Sequence, residues 1–143
     1  MTVQQISIFM ENKPGIFRQI ARLLGEHDIN MRAMSVAETT DFGILRIIVD
    51  HPAETAAVLK DAGYIYNITP VLAVAVDDRP GSLTKILTVL EDAAISLEYM
   101  YAFITRRENG AYLVFRVDEP DRTAAILQGE CITLISQKEI SAL

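Results

Sequence analysis

Apolar and polar positions alternate along "VQQISIFM" (residues 3–10), the period of a β-strand, and "VLAVAV" (residues 71–76) reads as a strand by its β-branched content. Each run meets a Pro-Gly pair, Pro14-Gly15 and Pro80-Gly81, and the period then changes. Ile16, Phe17, Ile20, Leu23 and Leu24 recur at helical spacing, as do Leu83, Ile86, Leu87, Leu90 and Ala94. "INMRAMSVA" and "ISLEYMYAF" read as second strands, with "GILRIIVD" and "GAYLVFRVD" as hairpin partners across "ETTDF" and "ITRREN". Pro52 and Pro120 sit where proline suits the first turn of a short helix, and "YIYNI" and "CITLIS" close each series. The order is βαββαβ, twice, which predicts an α+β fold: two ferredoxin-like units, each an antiparallel sheet with its helices on one face.

The two series are an internal repeat. Gly15 and Gly81 lie 66 residues apart, and Ile20, Leu24, Ile29 and Met34 recur as Ile86, Leu90, Ile95 and Met100. "VDHPAETAAVL" then matches "VDEPDRTAAIL" at an offset of 68, so the second copy carries two extra residues near Arg106–Asn109. A period this long suits a duplicated small domain, with units at 1–68 and 69–143. Within each unit proline sets φ for the first helical turn and glycine permits the bend, which is ordinary turn chemistry. It is also the geometry of an anion site, because the first amides of a helix have no partner inside it.

Strand, "NKPG", helix, then "HDIN" at the head of the second strand resembles the ACT domain, a small-molecule-binding regulatory module; "DDRPG" with "AAIS" resembles it too. The likeness spans the chain as two tandem copies without an attached catalytic domain. It implies a non-enzymatic amino-acid sensor with the ligand between paired ACT units. The residues it points to are Asn12, Lys13, Pro14, Gly15 and Ile16 of the first loop, with Asn30 and Met31 on the second strand. A secondary site would use Asp78, Pro80, Gly81, Ser82 and Ser96. There Asp77 and Asp78 replace Glu11 and Asn12, and two carboxylates repel a guest carboxylate. That site is then empty, takes an ammonium group, or is a solvated turn. Asn12 and Asn30 also have plain readings, as turn and strand-entry residues.

Composition narrows the alternatives. The net charge of −6 argues against a nucleic-acid partner. Cys131 is the only cysteine, so no intrachain disulfide forms, and a reducing cytoplasm fits. Two histidines and one cysteine make a zinc site improbable, and no cofactor motif stands out. No apolar run reaches membrane-spanning length, and the N-terminus does not read as a signal peptide. No nucleophile elbow, phosphate loop or CxxC is present, so catalysis and metal carriage are not expected. The runner-up reading is a regulatory subunit that acts by binding a biosynthetic enzyme, with no ligand of its own.

Three expectations concern assembly. Tyr64–Val76 reads as nearly continuous extended chain, interrupted only by Pro70. ACT pairs usually join through their second strands, but a linker of one or two residues spans only about 7 Å. That is too short to lay the two copies side by side across strands about 4.8 Å apart. Either strands are exchanged or second-strand edges pair between chains, which favours a homodimer. If those edges meet, Arg32 and Glu98 occupy facing places. Tyr99, Tyr101 and Phe103 share one face of their strand, read as core under a helix or as the wall of a ligand pocket.

Overall fold

A computed structural model describes all 143 residues. The first unit comprises β1 (Val3–Glu11), α1 (Ile16–Glu26), β2 (Met31–Glu38), β3 (Phe42–Val49) and α2 (Pro52–Asp61). β4 (Ile65–Asp77) follows, and then α3 (Ser82–Asp92), β5 (Leu97–Ala102), β6 (Gly110–Val117), α4 (Pro120–Gly129), β7 (Leu134–Ile135) and α5 (Gln137–Ile140). The βαββαβ order recurs as the repeat predicts.

β4 serves both units. Its first half pairs antiparallel with β1, from Ile65 opposite Phe9 to Val71 opposite Val3. Its second half pairs with β6, from Leu72 opposite Phe115 to Asp77 opposite Gly110, and Ala73 and Val74 also meet β7. One sheet results, in the order β2-β3-β1-β4-β6-β5. The extended reading of Tyr64–Val76 therefore holds, and the 68/69 boundary falls inside this strand. Pro70 is tolerated because its nitrogen has no ladder bond to give; its carbonyl accepts from Arg116 Nη1 at 3.2 Å.

The alternation of β4 decides the rest. Tyr66, Leu72, Val74 and Val76 face the helices. Beneath α1 and α2, Ile20, Leu24 and Leu59 pack on Ile6, Ile8 and Ile47. Beneath α3 and α4, Ile86, Leu90 and Leu127 pack on Phe115 and Val117. Val71 and Ala73 face the other way, into a third core shared by both units, where Val3, Ala33 and Ile48 meet Phe103 and Val114. The two units thus pack with their helix-free faces together, and neither side-by-side pairing nor strand exchange is needed. The edges of β2 and β5 meet at one corner, by a bridge between Ala33 and Phe103.

The aromatic row therefore lies on the face away from the helices, not under one. Where the second copy has Tyr99, Tyr101 and Phe103, the first has the smaller Ala33, Ser35 and Ala37, so one copy fills the space the other leaves. Fully buried Gln5 joins the units: its Nε2 donates to Tyr99 Oη at 2.8 Å and Ser7 Oγ at 3.1 Å, and its Oε1 accepts from Tyr101 Oη at 2.7 Å. The Arg46 guanidinium stacks over the Tyr99 ring, 3.9 Å from its centre.

The Arg32–Glu98 pairing is not formed. Arg32 lies against Asp50, with bonds of 2.7 and 3.2 Å, and Glu98 pairs with Arg116 at 3.3 Å. Equivalent places in a repeat give no guarantee of contact, because each charge finds a nearer partner on its own unit. "CITLIS" yields only the two-residue β7; Ser136 then caps α5, whose Glu139 completes the capping box. This segment docks on the first unit, where Gln137 Nε2 donates to Val49 O at 3.1 Å and Ser141 Oγ to Asp50 O at 2.8 Å.

Candidate functional site

The chain leaves β1 at Glu11 and enters α1 after Gly15, whose φ of 82° is the left-handed conformation glycine adopts without strain. No side chain caps α1, so amides of its first turn stay open, and open space surrounds Gly15. Lys13 and Glu11 form an exposed ion pair, which holds the Glu11 carboxyl below its ordinary range and raises the Lys13 ammonium. A cleft of about 430 Å³ opens beside this loop, between Lys13, Pro14 and Ile16 on one side and Gly63, Tyr64 and Ile65 on the other. Asn12 belongs to the same turn, its amide donating to Asp41 O at 3.4 Å.

The second loop repeats the geometry. Gly81 has φ 87° and no side chain caps α3. A cleft of about 370 Å³ lies between Pro80, Gly81 and Ser82 and the turn at Cys131–Thr133. Its electrostatics differ from the sequence expectation for this loop. Asp77 accepts from Arg79 at 3.1 Å and from Arg107 at 3.4 Å, so its charge is answered twice over. Asp78 turns to solvent, and its amide donates to Asn109 O at 2.9 Å.

Asn30 and Met31 stand elsewhere. Met31 is in register with Val49 and Glu11 with Phe42, so the head of β2 and the first loop lie at opposite ends of β3. The 11 residues of α1 separate them by about 16 Å. Ser96 bears the same relation to the second loop, its amide held by Asp118 at 3.2 Å. The head of β2 instead approaches the β5–β6 hairpin of the second unit. There Ile104 N donates to Arg32 O at 2.7 Å, and Arg32 Nη1 lies 3.4 Å from Thr105 Oγ1. The seven residues expected for the first site thus divide into a loop group at a cleft and a strand group beside the other unit's hairpin.

A family model described as an ACT domain pair matches residues 1–143. The chain belongs to the ACT domain-pair family. A crystal structure of a protein from Bacteroides thetaiotaomicron is 34% identical, with a TM-score of 0.92, covering 100% of this chain and 98% of that one. The ligand-free regulatory subunit of aspartate kinase from Thermus thermophilus has the same fold at 14% identity and a TM-score of 0.65, over 88% of this chain and 91% of its own. The regulatory subunit of aspartate kinase from Thermus flavus gives 15% identity and a TM-score of 0.59, over 89% and 92%. No curated protein matches the chain.

Each ACT unit therefore presents a cleft built from its strand–helix loop and the turn after its second helix. Sequence reasoning found the loop walls and missed the opposite walls. Gly63 and Cys131 occupy equivalent places there, both with positive φ, and the repeat offset could have paired them. Arg107 was also missed, although it lies in the Arg106–Asn109 stretch near which the two extra residues fall. No group of three or more His, Cys, Asp or Glu side chains is placed to hold a metal ion, and no helix is long and apolar enough to cross a membrane.

Proposed function

We propose that this ACT pair is a non-enzymatic, amino-acid-binding regulatory protein whose ligand sits at the strand–helix loop. The observation that carries this reading is recurrence: a cleft opens beside both Pro-Gly turns, each with an uncapped helix start. A carboxylate is a natural guest of such amides, and Asn12 and Lys13 adjoin them in the first unit. Asn30 and Met31 would belong to the site only where the second strand of another unit approaches the loop. A thermal-shift screen of the twenty amino acids tests the reading, because a ligand of the native state raises Tm by mass action. Calorimetry follows with Asn30→Ala, which weakens binding by about 1–3 kcal/mol if a buried polar contact is lost. Absence of any shift at millimolar ligand would sink it.

The second reading is a regulatory subunit acting through a biosynthetic enzyme, as the aspartate kinase subunits of the same fold do by name. Capture of one enzyme from cell extract, with no response to amino acids, would favour it. In either case we place the protein in the cytoplasm and take it to be a homodimer. Apolar Met34, Val36 and Met100 stand 41–50% exposed on β2 and β5. A monomeric mass by light scattering at micromolar concentration would count against the dimer.

A further inference from the structure

We propose that the second cleft selects a small ligand with two acidic groups, an acidic amino acid if the amino-acid reading above, on which this rests, is right. The argument is the charge inside it. Arg79, Lys85 and Arg107 line the cleft and Asp77 is the sole carboxylate. Asp77 compensates one of the three cations, so two positive charges remain, in a protein whose net charge is −6. The first cleft has no such excess, because Glu11 and Lys13 cancel. The excess is local and confined to one copy.

Arg107 is set in place rather than loose on the surface. It lies in the Arg106–Asn109 stretch, where the β5–β6 hairpin is two residues longer than its counterpart in the first copy. Its Nη1 donates to Val76 O at 3.1 Å as well as to Asp77, and the guanidinium lies 5.9 Å from the centre of the Tyr112 ring. Gly110 makes room for it: a Cβ there would strike both Arg107 Nη1 and Val76 O. Glu108 and Glu130, neighbours in sequence, do not line the cleft, and Asp78 opens on a separate groove with Asn109. A volume of about 370 Å³ is within the usual range for a small-molecule site. One acid group would meet Arg107 and the other Lys85.

The test is calorimetry on the full chain with L-aspartate, L-glutamate, succinate, L-alanine and inorganic phosphate, repeated on R107Q and K85Q. The expected result is binding of a dicarboxylate, weakened about 10-fold or more by R107Q, as for loss of a charge-assisted bond. K85Q, an exposed position that folding does not need, carries the test if R107Q fails to fold. Succinate binding that depends on Arg107, without any amino-acid binding, would uphold the acid-selective cleft and defeat the amino-acid reading. Alanine binding without dicarboxylate binding would overturn the proposal and leave that reading standing. Phosphate binding tighter than any dicarboxylate, or no binding by any probe, would overturn the proposal.

Discussion

Replacing Gln5 with leucine would remove the polar clasp between the two units while nearly keeping the volume. Gln5 is fully buried, and its amide meets Tyr99, Tyr101 and Ser7 within 3.1 Å. In Gln5→Leu two tyrosine hydroxyls and one serine hydroxyl lose their partner. A buried unsatisfied polar group costs about 1–3 kcal/mol. Tyr99 and Tyr101 are only half-buried, so water recovers part of that, and the expected loss is about 2–4 kcal/mol. For a chain of this size that is a fall in Tm of roughly 6–12 °C. Tyr101→Phe deletes one bond and should cost about 1–2 kcal/mol, with a coupling of about 0.5–3 kcal/mol to Gln5 in a double-mutant cycle. The assay is urea unfolding followed by far-ultraviolet circular dichroism and by tyrosine fluorescence. Because the clasp and the shared β4 tie the units together, both probes should report one transition. A loss below about 0.5 kcal/mol for Gln5→Leu, or two separate transitions in the wild type, would refute the argument.

Three further outcomes are expected. Asp50→Asn leaves the Arg32 guanidinium, whose side chain is 11% exposed, without its countercharge, and should cost about 2–4 kcal/mol by urea unfolding, whereas Glu119→Gln in the exposed pair with Arg122 should cost under about 0.5 kcal/mol. Gly15→Val meets no neighbouring atom but forces a branched residue to φ 82°, so it should lower stability by about 1–2 kcal/mol by thermal melting and abolish ligand binding in calorimetry. The amide and hydroxyl of Ser136 hold the Glu139 carboxyl below its usual 4.5; the capping box therefore contributes its full stability above that pH and loses it as pH falls through the lowered value, seen as fraying of α5 by NMR and absent in Glu139→Gln.

Much of the fold could be read from period and punctuation. The Pro-Gly turns, the two helical stripes of each copy and the long run through Tyr64–Val76 all appear as elements where the pattern places them. The mutual arrangement of the units could not be read that way. A period of two says that Tyr99, Tyr101 and Phe103 share a face, but not whether that face meets helices or another sheet. The small Ala33, Ser35 and Ala37 at the equivalent places were the available hint, since large against small suggests two faces that interlock. The short α5 had a legible signal as well: Ser136, the last residue of the run read as a strand, and Glu139 just beyond it stand at capping-box spacing. At the clefts the loop residues announced themselves through proline and glycine. The opposite walls did not, because Tyr64 and Thr133 are unremarkable in sequence and reach the loops only through the pairing of β1 with β4 and of β4 with its neighbours.

The shared strand also fixes how the two clefts relate. In a unit of this kind the last strand lies beside the first, so the strand that ends one copy would ordinarily be followed by a linker and a fresh start. Here the end of copy one is the start of copy two, and β4 runs on for 13 residues, about 43 Å. Ile65, at its beginning, walls the first cleft; Ala75, Val76 and Asp77, at its end, wall the second. Each cleft is therefore anchored to a different end of one strand, and the strand is held by β1 on one edge and by β6 on the other. A slip of β4 by one residue would turn Val71 and Ala73 out of the inter-unit core and Leu72 and Val74 out of the helix-facing core, so register changes are closed to it. What remains free to diverge is the loop chemistry at each end. The neutral Glu11–Lys13 pair at one end and the cationic Arg107 corner at the other are what a rigid duplicated frame permits: two clefts at equivalent places whose chemistry need not match.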